Sequence, residues 1–107
     1  MQEIREVDTL KTMVDTNAMT VVVFTMPSCG VCTPLKQKIA SVLEAFPEVA
    51  RGSVDLLEVE AAKGEYQIYT APIIVLFVQG KEAKRYSSAM NIVEFKETIA
   101  RYQQLMG

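Results

Sequence analysis

The chain has no histidine and no tryptophan, and only two cysteines among its 107 residues. Without histidine there is no Ser–His or Cys–His catalysis, no imidazole acid–base chemistry and no donor set for most zinc enzymes. Long apolar runs are also missing. The longest, Ala71 to Val78, is far too short to cross a bilayer, so no membrane association is expected. Neither sign of charge dominates: Lys plus Arg is 11 and Asp plus Glu is 13, a net charge of −2. Such a balance provides no electrostatic footprint for nucleic acid or anionic lipid. The opening MQEIREVDTL is polar and acidic, unlike a secretory signal or transit peptide, which makes a cytoplasmic protein the expectation. What remains is ordinary for a globular chain: 50% apolar and 22% charged residues in 11.9 kDa. That is one domain over residues 1–107, able to bury about 65% of its unfolded surface.

Hydrophobic periodicity orders the elements. Ile4, Val7, Leu10 and Val14 have helical spacing, predicting a helix over 3–16 that Asn17 closes. Thr20 to Thr25 contains Val21-Val22-Val23-Phe24, the signature of a central strand covered on both faces. Pro27 and Ser28 break it. A second helical stripe runs through Leu35, Ile39, Val42, Leu43 and Phe46 and stops at Pro47. A strand is predicted over 51–57 and a short helix over 60–67, weakened by Gly64. Ile73 to Val78 is the strongest strand signal. Gln79-Gly80-Lys81 then turns the chain back through 82–86. Asn91 and Glu94 have capping-box spacing ahead of a helix with Ile92, Phe95, Ile99, Tyr102 and Met106 on one face. The order α β α β α β β α predicts an α/β sandwich, a mixed sheet with helices on both faces. Ile4, Leu35, Ile39, Phe46, Phe95 and Ile99 are expected in its core. The charges at Lys36, Lys38 and Lys81 to Arg85 are read as solvated faces, and Met26 and Met90 as candidates for a groove near the cysteines.

The cysteines form Cys29-Gly30-Val31-Cys32, a CxxC between a buried strand and an amphipathic helix. A helix start offers unpaired N–H groups and the positive end of the macrodipole. A thiolate there is stabilised, so Cys29 is expected to ionise below the free value of about 8.5 and to act as a nucleophile. Cys32, one turn further in, is expected to be more buried and to resolve a mixed disulfide. Other readings stand beside this one. A structural disulfide closing so short a loop would constrain the unfolded chain little. A metal centre would need a second copy to complete the ligand set. Two inert core thiols fit poorly beside Pro, Ser and Gly.

The sequence resembles the thioredoxin family. Val21 to Phe24 is similar to its central strand and Cys29-Gly30-Val31-Cys32 to its active-site CGPC. Ile68-Tyr69-Thr70-Ala71-Pro72 is similar to the segment ending in its cis-proline. Ile73 to Val78 with Gln79-Gly80-Lys81 resembles the following strand and turn, and Ser88-Ala89-Met90-Asn91 the lead into the last helix. The resemblance implies a three-layer thioredoxin-like sandwich and a thiol–disulfide oxidoreductase that reduces protein disulfides. Cys29 and Cys32 would be the catalytic pair. Gly30, Val31, Thr70, Ala71, Pro72, Ser88 and Ala89 would be the docking patch, holding an extended substrate segment as an added strand. No bound cofactor is implied beyond the redox-active disulfide, and no metal. The implied partners are disulfide-containing proteins, with a flavin- and NADPH-dependent reductase or a glutathione system as electron donor, acting on a monomer. The alternative is a non-catalytic thioredoxin-like binding or redox-sensing module.

Several positions differ from the family pattern. Ser28 stands where tryptophan is usual, Val31 replaces proline, and Ser88 replaces a common glycine. Val23 occupies the place of a buried aspartate that helps deprotonate the resolving thiol, and Ser53 that of a nearby lysine. Proton transfer at Cys32 would then use water or another acid, such as Asp55 or Glu58. Pro34 cannot donate to the Gly30 carbonyl, so the helix is either distorted or starts late.

Overall fold

The computed structural model describes residues 1–106. Its elements run β1 (Gln2–Ile4), α1 (Val7–Thr16), β2 (Met19–Thr25), α2 (Cys32–Leu43), β3 (Ala50–Asp55), α3 (Ala61–Tyr66), β4 (Ile73–Val78), β5 (Lys81–Tyr86) and α4 (Ile92–Met106). The strands form one mixed sheet in the order β1-β3-β2-β4-β5. β2 is parallel to β3 and antiparallel to β4.

The run of β-branched residues in β2 is explained by its central place. Val21, Val22, Val23 and Phe24 are all fully buried, and alternation sends them to opposite faces. Val21 and Val23 join Ile74, Leu76, Leu35, Ile39, Phe95 and Ile99 in the core under α2 and α4. Val22 and Phe24 join Val75, Phe77, Leu10, Val14 and Ala62 in the core under α1 and α3. The expected three-layer α/β sandwich is therefore present.

The first segment differs from its expectation. Residues 2–4 are a strand rather than the start of a helix, and α1 begins only at Val7. Ile4 is buried as expected, but it reaches the core from β1, over Gly52 of β3. A Cβ on Gly52 would collide with Ile4 Cδ1. Asn17 does close α1, through its side chain rather than a left-handed backbone: Nδ2 donates to the Met13 carbonyl at 2.8 Å. The stripe predicted to run to Phe46 is helical to Leu43. It then tightens into i→i−3 bonds, with Phe46 N–H donating to the Leu43 carbonyl at 2.9 Å. The β4–β5 turn has positive φ at both Gln79 (54°) and Gly80 (82°), the requirement of a two-residue type I′ hairpin. At α4 the Asn91 side chain accepts from Glu94 N–H at 3.0 Å. The Glu94 side chain does not complete the capping box by reaching back. It pairs instead with Lys84 on β5 and accepts from the Thr98 hydroxyl at 2.8 Å.

Candidate functional site

Strand register assembles one end of the sheet. Thr25, the last residue of β2, pairs with Asp55, the last of β3. β4 runs the other way, so its first residue, Ile73, pairs with Phe24. β5 ends beside the start of β4, with Tyr86 opposite Ile74. The loops carrying the cysteines, Ala71–Pro72 and Ser88–Ala89 therefore leave the sheet at a common end. The Ala71–Pro72 peptide is cis.

Between β2 and α2, Cys29 N–H donates to the Met26 carbonyl at 3.0 Å. α2 starts at Cys32, with Val31 as its cap residue. This decides between the two alternatives for Pro34. The helix starts late, and its first intrahelical bond is Leu35 N–H to the Val31 carbonyl at 3.1 Å. Pro34 then lies in the first turn, where no N–H partner is required. It also means that Cys29 precedes the helix rather than opening it. Its sulfur nevertheless reaches the helix N-terminus, because Cys29 and Cys32 are joined as a disulfide with Cα atoms 5.5 Å apart. The two sulfurs are not equivalent. Cys29 is partly exposed, whereas Cys32 is only 4% exposed.

The remaining residues of the expected patch differ in exposure. Val31 is 51% exposed, and Gly30, Thr70, Ser88 and Ala89 are also exposed. Ala71 is half-buried and Pro72 buried. Val31 and Ser88 share a groove with Pro34, Leu35 and Lys38. Tyr69, beside Thr70, is exposed, while Tyr66 is packed between the rings of Phe24 and Phe77 at 6.0 and 5.7 Å.

A separate cavity of about 160 Å³ opens on the disulfide. It is lined by Thr25, Met26, Pro27, Cys29, Cys32, Thr33, Lys36 and Asp55. Alternation explains this set: Thr25 and Asp55 project to the same face as Val23, the face covered by α2, and α2 delivers Cys32 and Lys36 one turn apart. Lys36, expected on a solvated face, is half-buried and lines the open cysteine cavity. Of the two candidate acids, Asp55 is in this cavity, while Glu58 is engaged by Arg5 at 2.8 Å. Met26 lines the cavity, whereas Met90 packs against the core under α2 and α4. Among the described residues no cluster of three or more Cys, Asp and Glu side chains is arranged to hold a metal ion.

The segment before Pro72 is tied down by Arg85, one of the charges read only as a solvated face, whose bridging role has no local signal. The Arg85 guanidinium on β5 donates to the carbonyls of Gln67 and Tyr66, both at 2.9 Å. It caps the end of α3 where Gln67 takes a left-handed φ of 55°. A basic residue facing a helix C-terminus is a recognisable device, but the helix it caps is remote in sequence.

A family model described as Thioredoxin matches residues 3–101. The chain is 25% identical over 79 residues to the thioredoxin-like protein YdfQ of Bacillus subtilis (strain 168), spanning 74% of this chain and 70% of that protein. It is 29% identical over 89 residues to thioredoxin H-type 1 of Nicotiana tabacum, spanning 83% of this chain and 70% of the relative. The X-ray structure of Fasciola hepatica thioredoxin is similar with a TM-score of 0.83 at 29% identity, covering 95% of this chain and 99% of that one. Such a fold with a CxxC pair at its sheet end supports thiol–disulfide oxidoreductase chemistry. With the match to the family model extending over nearly its whole length, the chain belongs to the thioredoxin family.

Proposed function

We propose that the chain reduces protein disulfides by dithiol–disulfide exchange. The Cys29 thiolate attacks a substrate disulfide, forming a mixed disulfide and releasing one substrate thiolate. Cys32 then attacks the Cys29 sulfur, the substrate leaves as its second thiolate, and Cys29–Cys32 is left oxidised. Two electrons pass to the substrate, and a reductase of the flavin and NADPH type, or glutathione, returns them. The extended substrate segment lies along Thr70 and Ala71, over Pro72 and between Gly30–Val31 and Ser88–Ala89. The disulfide itself is the redox centre, with no other cofactor.

The observation that carries this reading is the asymmetry of the bonded pair: one sulfur partly open to solvent, the other covered. Exchange needs an accessible sulfur for the incoming group and a protected one that only its neighbour can reach. A second reading, a partner-binding module with an idle dithiol, draws on Val23, which is apolar and fully buried where the family carries a carboxylate.

Trapping separates the two. With Cys32→Ser and insulin as the disulfide probe, Cys29 is expected to form a mixed disulfide that persists until dithiothreitol is added. The unmodified chain should release free insulin thiols and accumulate its internal disulfide. If Cys32→Ser captures no insulin, or if Cys29→Ser reduces insulin as fast as the unmodified chain, the exchange mechanism is wrong.

A further inference from the structure

The second exchange step needs Cys32 as a thiolate, yet Cys32 is covered and a buried thiol resists ionisation. A proton must leave it, and the chain has no histidine to take one. Val23, on the face of β2 that packs under α2, is apolar and fully buried and offers no acceptor. The cavity on the disulfide contains one carboxylate. We propose that Asp55 is the proton acceptor for Cys32, a role that rests on the exchange reaction proposed above.

Asp55 is built for a fixed aim. Its Oδ1 accepts the N–H of Leu57 at 2.8 Å and that of Glu58 at 3.4 Å. These bonds hold one carboxylate oxygen in place, and Asp55 lines the cavity that opens on the disulfide. A volume of about 160 Å³ accommodates about five waters at roughly 30 Å³ each, enough for a relay between the carboxylate and the sulfur. The titratable groups lining the cavity are Cys29 and Cys32 from the loop and α2, Lys36 from α2 and Asp55 from β3. Lys36 brings a positive charge to the same cavity.

The step balances as follows. The Cys32 thiol gives its proton through water to Asp55. The Cys32 thiolate bonds to the Cys29 sulfur, the Cys29–substrate S–S bond breaks, and the electron pair leaves on the substrate sulfur. Asp55 releases its proton through the cavity to that departing thiolate or to solvent, and is again a carboxylate.

The sign of the effect separates a relay from simple charge. Removing a negative charge beside Cys32 makes its thiolate easier to form and would speed resolution. Removing a proton acceptor slows it. Asp55→Asn retains the Oδ1 acceptor for Leu57 and Glu58, so the local turn is kept. The reduced protein is mixed with excess oxidised glutathione, quenched in acid and followed by intact mass, which resolves the glutathione adduct on Cys29 from the internal disulfide. In Asp55→Asn the first step should stay within about twofold of the unmodified chain, while resolution at pH 7 slows by about tenfold or more. That deficit should shrink as pH rises above about 8.5, the free-thiol value, because hydroxide increasingly takes the proton that Asp55 would have accepted. Asp55→Glu should restore resolution to within about threefold. Resolution that is unchanged or faster in Asp55→Asn, or slowed equally at every pH and not rescued by Asp55→Glu, overturns the assignment. If the unmodified chain forms neither the adduct nor the internal disulfide, the exchange reaction itself fails, a result distinct from failure of Asp55 alone.

Discussion

The hydroxyl of Tyr86 is buried and makes no well-formed hydrogen bond among the described residues, although the Thr98 hydroxyl and the Glu94 carboxyl lie close enough to act on it. Its ring is well used: it meets Phe95 edge-on at 5.2 Å, and the Lys84 ammonium lies 5.3 Å from its centroid. The aromatic body stabilises the core under α4, while the polar tip is desolvated for at most weak contacts with Thr98 and Glu94. Tyr86→Phe keeps the ring and removes that oxygen. We expect it to leave stability unchanged or to raise it by up to about 1 kcal/mol in urea unfolding; a loss of more than about 1 kcal/mol would mean the hydroxyl has a partner. At this same scale the site was partly legible. The CxxC and Ala71–Pro72 are local words that can be read from the chain. Asp55 could be named only as one of two acids, because its choice over Glu58 depends on strand register and on Arg5 from another element. The place of Lys36 at the cavity is not legible in the sequence, because a lysine in a charged helix stretch has no local signal of what it lines.

Elements with their own periodicity were readable, and those defined by a distant partner were not. β2, β4 and α4 carry long apolar patterns and lie where the pattern puts them. β1 has three residues, and its one buried side chain, Ile4, also fits the helical spacing of Val7, Leu10 and Val14. Its strand character comes from pairing with β3 at Gln2↔Gly52 and from the space Gly52 leaves, neither of which is visible near residue 4. The tie between β5 and α4 is likewise non-local. The Lys84 ammonium, first, and the Thr98 hydroxyl, second, hold the Glu94 carboxyl below its ordinary value of 4.5. A carboxyl whose pKa is depressed by folding contributes stability that is fully present above its unfolded value and disappears as pH falls through the lower folded one. Glu94→Gln should therefore melt below the unmodified chain near neutral pH, with the gap closing in acid below about pH 4.5. The effect should be small and should shrink in salt, because the pair is exposed. Thermal melts of both proteins across pH 3–7 test this; a gap that stays constant through the acid range would assign the loss to packing rather than charge.

At the scale of the whole molecule, the sheet carries the site. One central strand ends at the cysteine loop, its parallel neighbour brings Asp55 beside that end, and its antiparallel neighbour begins there with Pro72. Two apolar cores hold α2 against one face and α1 with α3 against the other, so the helix that bears Cys32 is fixed by Leu35, Ile39 and Leu43, all buried beneath it. The fold class could be read from the order of elements, because a helix between parallel strands followed by a hairpin leaves few ways to build a sheet. What this arrangement must deliver is a reversible bond between two sulfurs, and equilibration of the protein in glutathione redox buffers at pH 7 measures that property directly. The fraction oxidised, read by mass after alkylation, should follow one two-electron transition of the Cys29–Cys32 pair between about −270 and −180 mV, the span of reducing and isomerising dithiols. A pair that remains bonded at potentials below about −300 mV, or two cysteines that take up glutathione independently and never close on each other, would contradict it.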